Sequence, residues 1–167
     1  MTPFILSQIF AALTLITGMT AFQFKERRHI LLGWCVAASL AAAHFFILGR
    51  LEAGMLITVT ALRFLVSSFT TDTRLMYLFL ALSVAGFALT YSSPVSFLAL
   101  TATFIGTYGS FHGSEKAVRY TMMATEVLWA IHNLIIWSPV AVIMEVLFFS
   151  SNLVGLLRHQ KTSESAL

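Results

Sequence analysis

Polar and ionisable residues recur at helical spacing in two apolar stretches near the C-terminal end of the sequence. Glu126, Trp129 and Asn133 are separated by three and four residues, so they fall on one face of a helix. Glu145 and Asn152 are seven residues apart and share one face of the next helix. A charged group at the centre of a membrane helix costs ~2.5–3.5 kcal/mol, so it seldom faces lipid. Both faces are therefore expected to turn inward onto a shared polar cavity.

Arg63 is the only lysine or arginine that we place deep in the membrane, within a helix predicted over residues 52–71. It would serve as a fixed ion-pair partner of Glu126 or Glu145, or as a counter-charge in the substrate path. The two glutamates outnumber this arginine, so one carboxyl group would lack a cation and would hold a proton. A proton-coupling carboxylate needs that property; the alternative is a neutral acid that only hydrogen-bonds its neighbours. Glu126 lies nearer its helix centre and is the better candidate for function.

Two histidines, His44 and His132, complete the set of candidate binding residues. Neither has the nearby ligands that a metal site requires, so we predict no metal and no cofactor. Hydrogen bonding between helices by neutral imidazole is the favoured interpretation. Asn133 and Asn152 both donate and accept hydrogen bonds and would suit a neutral polar solute, on which Trp129 would stack. The predicted substrate-binding set is Arg63, Glu126, Trp129, Asn133, Glu145, Asn152, His44 and His132.

The composition of the chain is that of a membrane protein. Its 167 residues are 58% hydrophobic and only 10% charged, against about 25% charged in an average soluble domain. Apolar runs long enough to cross a ~30 Å hydrocarbon layer recur along the chain. They lack the alternation of β-barrel strands, so an all-α integral membrane protein is predicted. The seven predicted transmembrane helices are 4–23, 30–49, 52–71, 75–91, 94–111, 117–137 and 139–157.

The basic residues indicate how these helices are oriented. Lysine and arginine favour the cytoplasmic side of a membrane, and only Arg50 falls in a linker on the opposite side. One transmembrane domain, residues 1–158, is therefore expected to have a periplasmic N-terminus and a polar cytoplasmic tail, residues 159–167. Because these charges flank membrane helices, they indicate topology and not nucleic-acid binding. The residues on the cytoplasmic side are Lys25, Arg27, Arg28, Arg74, Lys116, Arg119, Arg158 and Lys161.

The two halves of the chain resemble each other at an offset of 88 residues. This offset places His44 on His132 and Gly18 on Gly106, and a basic linker precedes the second helix of each half. Helices 1–3 and 5–7 would then be two copies of a three-helix unit. The fourth helix, 75–91, contains no charged residue and would be the linker that makes the copies parallel. Transporters built from parallel repeats bind substrate near the midplane between the copies.

Motifs spread along nearly all of the chain carry a family resemblance. They are ERR at 26–28, HFFILG at 44–49, Ala61-Leu62-Arg63, WAIHN at 129–133, Glu145 and Asn152. Jointly they resemble the YgjV-like family of bacterial inner-membrane proteins. A more distant resemblance to PQ-loop and SWEET-like transporters, including PnuC-type vitamin-precursor carriers, implies two parallel three-helix repeats with the N-terminus outside. Asn152 and Gly155 are similar to the Asn-x-x-Gly of SWEET carriers, whose asparagine lines the sugar site, but Phe64 stands at the corresponding place in helix 3.

These observations predict a small-solute transporter that works by alternating access around a central polar site in the bacterial inner membrane. The expected solute is a vitamin precursor, nucleoside, sugar or similar polar molecule. The alternative is a membrane sensor or assembly partner with a static buried ion-pair core. No Gly-rich phosphate loop, nucleophile elbow or HExxH motif occurs, which sets several reactions aside. We predict that the protein is not an enzyme; the rival hypothesis is a membrane-embedded enzyme that uses the glutamate and histidine residues as acid and base. The sequence leaves open whether it forms a homo-oligomer.

Overall fold

The computed structural model describes residues 2–91 and 93–164 of the chain. These residues form seven helices and no strand, as the sequence predicts. The helices follow the chain as Pro3–Ala21 (α1), Arg27–Ile47 (α2), Leu51–Phe69 (α3), Thr73–Thr90 (α4), Ser96–Phe111 (α5), Glu115–Ile135 (α6) and Pro139–Glu164 (α7).

Four of these helices are long and apolar enough to cross a membrane: α1, α2, α4 and the part of α7 from Pro139 to His159. The apolar stretch of α3, Ala53–Phe69, is shorter, and α5 has only 16 residues. Helix α6 has 21 residues, but its composition is less apolar because it includes Arg119 and Glu126. The prediction of an all-helical membrane protein is confirmed, and the crossing of the bilayer by all seven helices stays a prediction.

Two helix boundaries differ most from the predicted ones, because hydropathy indicates the membrane and not the helix. Helix α2 begins at Arg27, inside the predicted linker, since the Ile30 N–H already donates to the Glu26 carbonyl (3.1 Å). Helix α7 continues to Glu164, past its predicted end at residue 157. The residues after Arg158 are polar but include no glycine or proline, so nothing in the sequence stops the helix. Residues 165–167 of the predicted tail lie outside the described residues.

The structure divides into two compact units, and the first unit, Met1–Phe69, contains α1, α2 and α3. Within it, α2 packs against both α1 and α3. Helices α1 and α2 approach so closely that a Cβ atom on Gly33 would lie 2.6 Å from the Cβ of Ala21. The His44 ring nitrogen Nδ1 lies 2.8 Å from the carbonyl oxygen of Ser7. This hydrogen bond between α2 and α1 is of the kind favoured above for a neutral histidine.

The second unit, Thr70–Leu167, contains α4 to α7. Helix α6 packs against α5 and α7, and α4 packs against α5. Helices α5 and α6 lie close together at Gly109, where a Cβ atom would lie 2.5 Å from the Cβ of Thr121. One turn further along α6, the Thr125 hydroxyl donates to the Ala102 carbonyl (3.3 Å). Small residues on α5 therefore let α6 lie close to it, as is common between membrane helices.

The turn after α2 and the turn after α6 have the same backbone hydrogen bonds. The Leu48 N–H donates to the carbonyl oxygens four and two residues earlier, and the Ile136 N–H does the same. The next residue has a positive φ in both turns, 70° at Gly49 and 57° at Trp137. Each residue of the second turn stands 88 positions after its counterpart, which is the offset identified in the sequence. Trp137 therefore adopts a backbone conformation that normally favours glycine.

Candidate functional site

The buried face of α6 carries three polar residues at seven-residue intervals: Arg119, Glu126 and Asn133. Seven residues are two helical turns, so consecutive members of this series lie about 10 Å apart along the helix axis. The helix begins after Ser114, whose hydroxyl accepts a hydrogen bond from the Ala117 N–H (3.4 Å), as is typical of an N-cap. Glu126 is only 5% exposed and Asn133 is 8% exposed. The face of α6 that carries the candidate residues is therefore buried.

Arg119 is fully buried and is held by residues on two helices. Its Nε donates to the carboxylate of Glu115, one turn earlier in α6. Its Nη1 lies 3.4 Å from the side-chain oxygen of Asn152 on α7, and the Asn152 amide donates in return to the Arg119 backbone carbonyl (3.0 Å). A buried cation is stable only when it is paired and hydrogen-bonded. These contacts therefore fix α7 against the first turns of α6.

Glu126 and Glu145 occupy the next matching positions of this antiparallel helix pair. Glu126 follows Arg119 by seven residues on α6, and Glu145 precedes Asn152 by seven residues on α7. Because the Arg119 and Asn152 side chains meet across this pair, two further turns along each helix bring Glu126 and Glu145 to the same level. Glu145 is half-buried, so the pair lies at the boundary between the packed interior of the second unit and its surface. We refer to Glu115, Arg119, Glu126, Glu145 and Asn152 as the polar core.

Glu126 differs from Arg119 in having nothing to compensate its burial. Neither of its carboxyl oxygens accepts a hydrogen bond from any described residue, and both are shielded from solvent. Moving an isolated carboxylate out of water costs several kcal/mol even after the protein relaxes. Glu145, at the same level of α7, is also acidic, and its charge would add repulsion. Such a group is stable when it carries a proton or when a cation binds to it.

The other polar candidates on α6 lie beyond this pair, in the last turns of the helix. The His132 ring nitrogen Nδ1 lies 3.3 Å from the side-chain oxygen of Asn133. The same imidazole meets the half-buried Trp129 edge to face, with the ring centroids 5.2 Å apart. The Asn133 carbonyl accepts from the Ser138 N–H (2.8 Å), which closes the turn before α7. His132 therefore contacts residues of its own helix, and the stacking of Trp129 on a ligand stays a prediction.

The first unit holds two of the candidate residues, His44 and Arg63. His44 is engaged by the carbonyl of Ser7 on α1. Arg63 is buried on α3, and its guanidinium lies 4.6 Å from the ring centroid of Phe64, a distance at which a cation and an aromatic face attract. The predicted ion pair of Arg63 with Glu126 or Glu145 would join residues of different units and stays a prediction.

Sequence reasoning missed Arg119 and Glu115 as parts of the polar core. Arg119 is counted in the sequence only among the cytoplasmic basic residues that indicate topology, whereas its side chain is fully buried on α6. A signal was available, because a glutamate four residues before an arginine is the spacing of an ion pair on a helix. A hydropathy scale does not detect this signal, because it scores each charged residue as unfavourable in the membrane even when two such residues form an ion pair.

The first unit has apolar residues at the positions that correspond to Arg119, Glu126, Glu145 and Asn152 of the polar core. At the offset of 88 residues, Leu31 corresponds to Arg119 and Phe64 to Asn152, and both are buried. Ala38 and Ile57 correspond in the same way to Glu126 and Glu145. In the first unit α2 packs against α1 and α3 without any polar residue in these four places.

The helices and their polar core define the chain as an all-α membrane protein with a buried ionisable cluster in one of its two units. The chain belongs to the Imp-YgjV family of bacterial inner membrane proteins, whose family model matches residues 5–163. The inner membrane protein YgjV of Escherichia coli K12 is 25% identical over 158 residues, which cover 95% of this chain and 86% of that protein. No solved structure matches the chain. The predicted resemblance to this family and the location in the inner membrane are confirmed.

Proposed function

We propose that this protein carries a small polar solute across the bacterial inner membrane by alternating access, and that it is not an enzyme. The observation on which the proposal depends is the carboxyl pair of Glu126 and Glu145. Buried ionisable groups in membrane segments are costly and mark substrate or ion pathways. The Glu126 oxygens have no hydrogen-bond partner among the described residues, so they are available to bind something that the protein moves.

The comparison between the two units supports a functional role over a structural one. Ala38 and Ile57 fill the corresponding places in the first unit, so a packing solution without carboxyl groups exists in the same chain. Replacing a buried charged group by a packed apolar residue is often neutral or stabilising by ~1–4 kcal/mol. A second unit selected only for stability would therefore be expected to contain the apolar pair.

The proposed architecture is that of two parallel three-helix repeats, α1–α3 and α5–α7, joined by α4, as in SWEET-like and PQ-loop transporters. The matching turns after α2 and α6 support a repeat, because the positive φ values of Gly49 and Trp137 lie at equivalent positions. The close helix approach at Gly33 in the first unit and at Gly109 in the second unit also supports a repeat. If all seven helices cross the bilayer, the basic linkers place the N-terminus in the periplasm and the C-terminus in the cytoplasm.

Uptake into proteoliposomes tests the proposal. Purified protein is first screened by thermal shift against thiamine, uridine, glucose and alanine, which represent vitamins, nucleosides, sugars and amino acids, because a bound solute stabilises by mass action. The radiolabelled compounds are then offered to liposomes that contain the wild type or the Glu126→Gln variant, with Glu26→Gln as a control at an exposed carboxylate. We expect saturable uptake of one class by the wild type and the control, and a strong loss in Glu126→Gln. Absence of uptake for a compound that binds would contradict the proposal.

The second candidate function is a membrane sensor or assembly partner with a static core. The fixed contacts of Arg119 with Glu115 and Asn152 favour it, because they resemble a structural ion-pair network. It predicts that Arg119→Leu disrupts folding or association while no solute flux exists to lose. An enzyme, by contrast, would return a chemically altered compound from the liposomes. Mass spectrometry of the recovered solute therefore distinguishes an enzyme from a carrier, which returns its solute unchanged.

A further inference from the structure

The carboxyl pair lies on two helices that are continuous at this point. Helix α6 runs unbroken from Glu115 to Ile135 and α7 from Pro139 to Glu164. Backbone carbonyl oxygens in the interior of a helix are already engaged by the N–H four residues later. The hydroxyl of Thr125, the residue before Glu126, also donates to backbone carbonyls and so is not free to bind a ligand through its proton. Among the described residues of α6 and α7 at this level, the carboxyl oxygens are the charged acceptors, and the Thr125 hydroxyl oxygen adds a neutral one.

The described side chains here do not supply the full ligand set of a calcium or structural zinc site. Calcium takes six to eight oxygen ligands, and zinc takes four ligands in its structural sites. Sodium sites in transporters recruit carbonyl oxygens from unwound helix segments, which α6 and α7 do not provide here. The part of the chain that the structure describes holds no group of three or more histidine, cysteine, aspartate or glutamate side chains able to bind a metal. A proton requires only one carboxyl oxygen, with a second acid nearby to share it.

Among the described residues of the second unit, the groups that face Glu126 include no cation that would compete with a proton for its carboxylate. Among the described residues of α7, the ionisable one at the level of Glu126 is Glu145. From α5, the segment opposite Thr125 contributes Ala102 and carries no charged residue. On α6 itself the neighbouring ionisable residues are Arg119, two turns earlier and engaged by Glu115 and Asn152, and His132, almost two turns later and engaged by Asn133.

We propose that Glu126 and Glu145 form a shared proton site, and that binding and release of this proton couple the solute's movement to the pH gradient across the membrane. The coupling rests on the transport function proposed above, whereas the proton site itself stands on the geometry of the pair. With one proton shared, the pair carries a single negative charge. Loss of that proton leaves two like charges on adjacent helices, and their repulsion favours separation of α6 from α7 at this level. Protonation would thus select between two arrangements of the helix pair.

The proton site is tested without any solute. Infrared difference spectra of the purified full-length protein are recorded across a pH titration, and the protein is treated with dicyclohexylcarbodiimide, which modifies protonated carboxyl groups in apolar surroundings. We expect a carboxylic acid band that disappears as the pH rises, and a carbodiimide label on α6 or α7. Both should be lost in Glu126→Gln and retained in Glu26→Gln. A band and label that are absent from the wild type, or unchanged in Glu126→Gln, would overturn the proton site.

The coupling is tested in liposomes with the solute class identified by the uptake screen. We expect wild-type protein to accumulate the solute against its gradient when a pH difference is imposed, and Glu126→Gln to lose that accumulation. Glu145→Gln tests the partner, since removing the second acid should also abolish the response to the pH difference. Wild-type uptake that ignores the pH difference would overturn the coupling but leave transport intact. The reverse result, a titrating carboxylic acid without flux of any compound that binds, would overturn transport but leave the proton site.

Discussion

A close helix approach in each unit predicts the outcome of one pair of substitutions. In the second unit, Gly109 on α5 faces Thr121 on α6, and a Cβ on the glycine would lie 2.5 Å from the threonine Cβ. In the first unit the residues 88 positions earlier are Ala21 and Gly33, and a Cβ on this glycine would lie 2.6 Å from the alanine Cβ. Each contact has room for one Cβ atom. The glycine of the contact lies on α2 in the first unit and on α5 in the second unit.

The magnitude of the effect follows from this geometry. Gly109→Ala places two Cβ atoms far inside van der Waals contact, and overpacking of this kind costs ~1–3 kcal/mol of unfolding free energy. Adding Thr121→Gly removes the clash and reproduces the arrangement of Ala21 and Gly33. The remaining cost is that of a glycine inside a helix, which is up to ~1 kcal/mol. We therefore expect the double variant to be more stable than Gly109→Ala alone, although it carries an additional glycine.

Reversible unfolding in mixed detergent micelles, or thermal denaturation of the purified protein, measures these differences. Gly113→Ala is the matched control, because a Cβ at Gly113 would meet nothing within 4 Å. If Gly109→Ala is as stable as Gly113→Ala, then the close approach of α5 and α6 is wrong. If the double variant is no more stable than Gly109→Ala, then the two contacts are not equivalent and the repeat loses its support.

The same unfolding measurement tests two further features. Arg119→Leu alone should lower the free energy of unfolding by ~3–5 kcal/mol because it breaks a buried ion pair. Adding Asn152→Phe introduces the apolar residues of the first unit and should recover part of that loss. Equal stability of the single and double variants would show that Arg119 and Asn152 are not coupled. Trp137→Gly should stabilise the turn after α6 by ~1–2 kcal/mol, because φ is 57° there and glycine carries no Cβ penalty in this region. Gly49→Ala should destabilise the turn after α2 by a similar amount, and a neutral result for both would contradict the positive φ values.

The helices could be predicted because their sequence signals are local and strong. Long apolar runs with few charges predict membrane helices, and Ser138-Pro139 marks the start of α7 because proline suits the first helical position. The start of α2 and the C-terminal end of α7 were less well predicted. Hydropathy falls where the chain leaves the apolar layer, but the backbone hydrogen bonds of a helix continue into water as long as the residues permit.

The polar core could be predicted in part, from the spacing of Glu126 and Glu145 on their helices. Helical periodicity identifies which residues share a face, but it does not identify the partner of each residue on the neighbouring helix. Asn152 was assigned to a solute site, whereas its side chain hydrogen-bonds Arg119. That contact depends on the register between α6 and α7, which the tight turn at Ser138 sets and which no single helix pattern contains.

The role of the carboxyl pair is tested most directly by giving the second unit the residues of the first. Glu126→Ala with Glu145→Ile reproduces Ala38 and Ile57, and both unfolding free energy and solute uptake are measured on the same purified protein. We expect the variant to be at least as stable as the wild type, since apolar replacement of buried ionisable groups is often neutral or stabilising, and to have lost uptake. A variant that unfolds more easily but still transports would show that the pair serves folding and not function.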